Sequence, residues 1–157
     1  MKKEKEKKSK VERIKHDGFL FKLREKEIIG KYAVLTGVDS SVLEDSVVIV
    51  PKNVGRFPVK YIGAHSFSRD GEHNKFATIV LQEGIERIED GAFALCTHLK
   101  RIIIPDSINR IAEDAFPENN EITLLWSGNN ENVYMKHYIE ENNERYDFEI
   151  NELKPVQ

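Results

Sequence analysis

Residues 78–100 (TIVLQEGIERIEDGAFALCTHLK) and residues 101–123 (RIIIPDSINRIAEDAFPENNEIT) are two copies of one pattern at an offset of 23. Repetition at that period marks a solenoid, in which one supersecondary unit buries its apolar face only by stacking on its neighbour. The matched positions are chemically coherent: Ile79/Ile102, Leu81/Ile104, Ile85/Ile108, Arg87/Arg110, Ile88/Ile111, Ala92/Ala115, Phe93/Phe116 and Leu99/Ile122. A longer copy precedes them, with Val48, Val50, Pro51, Val54, Ile62, Gly63, Ser66, Phe67 and Phe76 in the corresponding places. Val48 and Ile79 are 31 residues apart, and the eight extra residues are assigned to residues 55–61 and 68–74, turns in which a solenoid tolerates insertion.

Strand alternation then sorts the side chains. Ile102 and Ile104 share one face with Ile79 and Leu81, while Ile103 and Val80 point the other way. Phe67, Phe93 and Phe116, one per copy, are expected to stack as an aromatic spine, with Ser66, Ala92 and Ala115 small enough for the backbones to approach. Cys96 aligns with Asn119 and reads as a buried structural thiol, because nothing in the sequence supplies it with a base.

The series Ile102, Ile104, Pro105, Ile108, Ile111, Ala115 and Phe116 spells I-x-I-P-x-x-(I/V)-x-x-I-x-x-x-A-F and resembles the BspA-type leucine-rich repeat. Residues 47–67 (VVIVPKNVGRFPVKYIGAHSF) are similar to that family's first coil, and residues 134–150 to its helix-then-strand C-terminal end. The resemblance spans about residues 18–150. It implies an α/β repeat fold: a short right-handed leucine-rich-repeat solenoid of about three coils with parallel strands, an N-terminal β-hairpin cap and a C-terminal helix–strand cap.

Length and composition agree with one such domain. At 157 residues the chain holds a single core, and a thin rod with much surface accounts for 32% charged and 39% apolar residues. Residues 1–16 carry eight bases against three acids, +5 in a chain of net charge −3, and read as a charged, disordered tail. A role for this tail in holding nucleic acid or an anionic membrane is not favoured, because glutamates dilute its lysines. No run of 7 to 15 apolar residues follows the basic start, so a cytoplasmic chain is expected, although the family resemblance leaves the cell surface open. A single cysteine excludes an internal disulfide framework.

Residues 17–45 are assigned to the N-terminal cap. Asp17 and Gly18 form a turn, an edge strand follows from Phe19 to Leu23, and a second strand runs from Tyr32 to Thr36. Residues 46–126 form the repeats and residues 127–150 the C-terminal cap; residues 151–157 are a second tail. In that cap, Asn129 or Asn130 starts a helix reaching about Asn143 with Val133, Tyr134, Tyr138 and Ile139 inside. Tyr146, Phe148 and Ile150 alternate with Asp147 and Glu149 in a closing strand.

Catalysis finds no support in the sequence. The five histidines share no repeat position, Glu83, Glu86, Glu89 and Asp90 fall at variable turn positions like a solvated face, and no phosphate-loop, dinucleotide or nucleophile-elbow motif is present. Phe57, Pro58 and Val59 read as a rigid turn closing the first coil. The candidate contact surface is the strand face: Ile49, Val80, Ile103 and Trp126 as an outward ladder, flanked by Lys100 and Arg101. Two accounts of the aliphatic residues stand side by side, a contact surface or the ordinary preference of β-branched side chains for strands. For Trp126, folding under the C-terminal helix is preferred, since Ser127 falls where Ile104 predicts an apolar residue.

The expectation is therefore a non-enzymatic protein–protein interaction module that needs no cofactor or metal and binds an unidentified protein. Two alternatives stand: an adhesin-like surface protein binding host protein or glycan, or a solenoid tethered by its basic tail.

Overall fold

The computed structural model describes residues 11–43, 45–70, 75–118, 121–128 and 131–152. The expected Cys96–Asn119 equivalence and most of the lysine-rich segment lie outside the described residues.

The repeat copies become turns of chain that each give one strand to one sheet and one to another. The first sheet is parallel throughout and stacks β4 (Val47–Ile49), β7 (Thr78–Val80), β9 (Arg101–Pro105), β11 (Thr123–Gly128) and β12 (Asp147–Glu152) in that order. The second opens with an antiparallel meander, β1 (Arg13–His16), β2 (Phe19–Lys26) and β3 (Gly30–Val38). It continues in parallel through β6 (Phe57–Ile62), β8 (Arg87–Ile88) and β10 (Arg110–Ile111). After β11 the chain turns into α1 (Val133–Asn142) rather than another strand of the second sheet. Tyr134 of α1 meets the end of that sheet, its hydroxyl 2.6 Å from the Ile111 N–H.

The α/β assignment is corrected toward β. Among the described residues helix is confined to α1 and the 3-10 turn Ser68–Asp70, because the short segments between strands are tight turns closed by backbone bonds such as Cys96 N–Phe93 O, 3.0 Å. Three local expectations also change. Strand pairing begins at Arg13, inside the expected tail, so β2 is flanked on both sides rather than forming an edge. Phe57, Pro58 and Val59 are part of a strand, joined through Gly55 and Arg56 to β5 (Asn53–Val54) in a hairpin that buries Val59. The helix starts one residue past Asn132, whose Oδ1 accepts from Met135 N at 3.0 Å, and its buried residues are Met135 and Tyr138 while Val133 faces solvent.

The aromatic spine runs through the buried core. Phe67 and Phe93 have ring centroids 4.9 Å apart, and Phe93 and Phe116 are 5.8 Å apart. The series extends at one end to Phe76 and at the other to Tyr146, 5.5 Å from Phe116. All three repeat phenylalanines are buried, as are Ser66, Ala92 and Ala115 beside them. Each such ring removes some 150–250 Å² from water, which makes the spine a large share of the stacking energy. Cys96 is buried too, with Sγ 3.7 Å from the carbonyl of Phe67 in the preceding turn.

Polar latches tie neighbouring turns. Glu83 accepts from Asp106 N (2.8 Å), Asp114 from Gly91 N (3.1 Å), and Ser107 Oγ accepts from Gly84 N while donating to Ile85 O (3.0 and 2.7 Å). Glu83 thus does more than face solvent: its carboxylate satisfies a backbone donor that no strand pairs.

Candidate functional site

The outward side of the parallel sheet carries a row set by strand register: Ile49, Val80, Ile103, Leu125 and Glu149 are successive partners. Ile49 is 57% exposed, Val80, Ile103 and Leu125 are half-buried and Glu149 is exposed. With strands about 4.8 Å apart, the aliphatic part of the row is a stripe about 14 Å long. The parallel row beside it is Val47, Thr78, Arg101, Thr123 and Asp147, and Val47 is 51% exposed. Arg101 Nη2 lies 3.2 Å from Glu149 Oε2, so the guanidinium reaches across β11 to the closing strand. Lys100 sits exposed just before β9, and its carbonyl accepts from Thr123 N at 2.9 Å.

Trp126 does not belong to this stripe. It pairs with Ile104, on the inward face, and is 1% exposed. The cause is a one-residue change in spacing. Thr78 pairs with Arg101, 23 residues on, but Arg101 pairs with Thr123, 22 residues on. At the start of β7 two successive N–H groups, of Ala77 and Thr78, donate to Ser46 O, and at the start of β9 those of Lys100 and Arg101 donate to Ala77 O. β11 begins without that doubled residue, with Thr123 N donating to Lys100 O. Because side chains alternate with period two, losing one residue exchanges the faces, so Leu125 takes the outward place and Trp126 the inward one. Ser127 then matches Pro105, at the end of the strand, where an apolar residue is not required.

A second surface was not singled out from the sequence. On the outer face of the other sheet, register places Arg13, Lys22, Val34, Tyr61, Arg87 and Arg110 in one line across six strands. Arg24, opposite Tyr32, and Lys26 lie alongside. Tyr32 and Tyr61 meet edge to face at 5.2 Å; Lys26 Nζ donates to Tyr61 Oη at 2.7 Å, and the Arg87 guanidinium lies 4.9 Å from the centre of the Tyr61 ring. The signal was present as alternation, with Lys22, Arg24 and Lys26 on one side of β2 and Phe19, Phe21 and Leu23 buried on the other. Its continuation through Arg87 and Arg110 needs the sheet order. Partial burial lowers the Lys22 pKa, and the neighbouring Arg24 and Arg13 lower it further, while Glu89 acts the other way.

Among the described residues no group of three His, Cys, Asp or Glu side chains is placed to hold a metal ion. No described helix is long and apolar enough to cross a membrane.

The family model described as BspA type Leucine rich repeat region (6 copies) matches residues 60–151. That is more than half of the chain, which belongs to the BspA-type leucine-rich repeat family. Repeats of this family typically mediate protein–protein contact, are typically non-enzymatic, and often occur in surface or secreted proteins. Among solved structures, a leucine-rich repeat protein from Bacteroides capillosus ATCC 29799 is similar at 18% identity, over 73% of this chain and 71% of that one, with a TM-score of 0.47. No curated protein matches the chain.

Proposed function

We propose that this protein is a non-enzymatic interaction module that grips a partner protein through the outward apolar stripe of its parallel sheet. The observation that carries the reading is the in-register run of Ile49, Val80, Ile103 and Leu125, an apolar strip on the outside of a sheet whose inner face is already filled by Val48, Ile79, Ile102 and Leu124. The four side chains of that strip lie outside the core cluster, and a row of four aliphatic residues gives a partner shape and apolar area. The Arg101–Glu149 pair at its C-terminal end adds a polar rim that orients the partner. On this reading the molecule is a short solenoid of about three coils, the β1–β3 meander closing one end and α1 with β12 the other, and Lys100 borders the contact while Trp126 props it from beneath.

The test is a pull-down from the native cell with the intact chain and with Val80→Glu/Ile103→Glu. Loss of a specific partner by a variant whose unfolding midpoint is unchanged supports the reading; a partner retained by that variant overturns it. A second reading, an adhesin-like protein binding host protein or glycan, is favoured by the frequency of surface proteins among BspA-type repeats. It uses the same face, and cell fractionation separates it from a cytoplasmic role.

A further inference from the structure

The line Arg13, Lys22, Val34, Tyr61, Arg87 and Arg110 places two cations on either side of a buried pair, Val34 and Tyr61. Arg13 lies directly opposite Lys22, and Arg87 directly opposite Arg110. Like charges in directly opposed positions destabilise a sheet, and alternating signs are the stabilising arrangement. Here two such oppositions occur in one row, with Arg24 and Lys26 beside it. Carboxylates also stand near the row, Glu25 lining a pocket with Arg24 and Lys26. Glu86 pairs with Lys60 (3.8 Å), Glu12 with Lys31 (3.0 Å), and Glu89 and Asp90 flank Lys22 on one side. At the N-terminal end a groove of about 530 Å³ is lined by Arg13, Lys15, Lys22 and Arg69 together with Leu20 and Thr36, and no carboxylate is among its described lining residues. This excess of positive charge stands on a chain whose net charge is −3.

We propose that this face is a second docking surface, distinct from the apolar stripe, and that its occupant is an extended acidic polypeptide segment lying across the strands. Six strands at a spacing of about 4.8 Å make the line about 24 Å long. An extended chain of seven or so residues covers that length at about 3.4 Å per residue, with alternate carboxylates facing the sheet. A nucleic acid fits less well. Single strands are held by bases stacked on free aromatic faces, whereas the Tyr61 ring is flanked by Lys26 and Arg87 and meets Tyr32 edge-on. A duplex presents two phosphate strands to a surface that offers one line.

The test uses the full-length chain and a fluorescent deca-glutamate peptide, read by anisotropy at low and at moderate salt. The wild type is expected to bind, more weakly as salt rises. Lys22→Gln/Arg110→Gln, which leaves both cation–tyrosine contacts in place, is expected to weaken binding about fivefold to tenfold, on the scale of two exposed charge pairs. A full-length variant with glutamine at Lys2, Lys3, Lys5, Lys7, Lys8 and Lys10 is expected to keep that dependence on Lys22 and Arg110. Val80→Glu/Ile103→Glu is expected to bind the peptide like wild type, which separates this surface from the stripe. Equal affinity of wild type and Lys22→Gln/Arg110→Gln overturns the proposal, as does abolition of binding by the change at the six lysines alone. Tighter binding of a deca-thymidine strand than of deca-glutamate also overturns it, in favour of a nucleic-acid partner.

Discussion

The rings of Phe93 and Phe116 lie 4° from parallel, with centroids 5.8 Å apart, each buried and each on its own turn of the repeat. Their contact joins residues that the chain separates by one full period, so it reports turn-on-turn stacking rather than local structure. Phe93 stands between Phe67 and Phe116 and contacts both. Phe93→Ala is therefore expected to cost about 3–5 kcal/mol, the range for a buried phenylalanine that leaves a cavity. Urea unfolding, comparing midpoints at a common slope, measures it.

Gly128 lies against the Trp126 indole and the Asp106 carboxylate: a Cβ there would stand 2.6 Å from Asp106 Oδ1 and closer still to the indole. Gly128→Ala is expected to destabilise by about 1–3 kcal/mol through overpacking. Trp126 is the only tryptophan in the sequence, so its emission reports the site directly. Native protein is expected to show weak acrylamide quenching that rises sharply on unfolding; strong quenching of the native state would return the indole to the surface.

Asn132 works on three backbone groups at once. Its Oδ1 caps α1 at Met135 N, while Nδ2 donates to the carbonyls of Asp106 and Ile108, each at 2.8 Å. Asn132→Ala removes the cap and leaves two carbonyls short of a donor, and is expected to cost about 2 kcal/mol or more, above the range of most caps alone. Asn132→Asp keeps the cap and loses both donors, so thermal unfolding of the two variants separates the terms.

Burial holds the Tyr138 hydroxyl well above its ordinary pKa of 10.0, and raises Tyr134 and Tyr146 as well. The folded state then keeps protons that the unfolded chain releases. The stability these groups contribute is full below pH 10 and declines as pH climbs beyond it, by up to about 1.4 kcal/mol per pH unit for each tyrosine. Tyr138→Phe keeps the ring without the titrating group. Its stability is expected to fall less steeply between pH 10 and 11.5 than that of wild type, as read by denaturant titration.

What the sequence determined by itself is everything carried by repetition. The 23-residue offset aligned Phe93 with Phe116 and Ile79 with Ile102, and alternation within each strand put Ile103 and Val80 outside, because these relations depend only on neighbours along the chain and on one period. The closing helix and strand were legible as well, although the helix buries Met135 and leaves Val133, expected inside, in solvent. What only the tertiary structure decided is register. One residue fewer before β11 turns Trp126 inward and Leu125 outward, a choice made by which carbonyl Thr123 N finds across the sheet and not by the residue types themselves. The basic line is the same kind of fact. Arg13, Lys22, Arg87 and Arg110 are up to 97 positions apart in sequence and become neighbours only through the order of strands, a long-range pairing that no local pattern encodes.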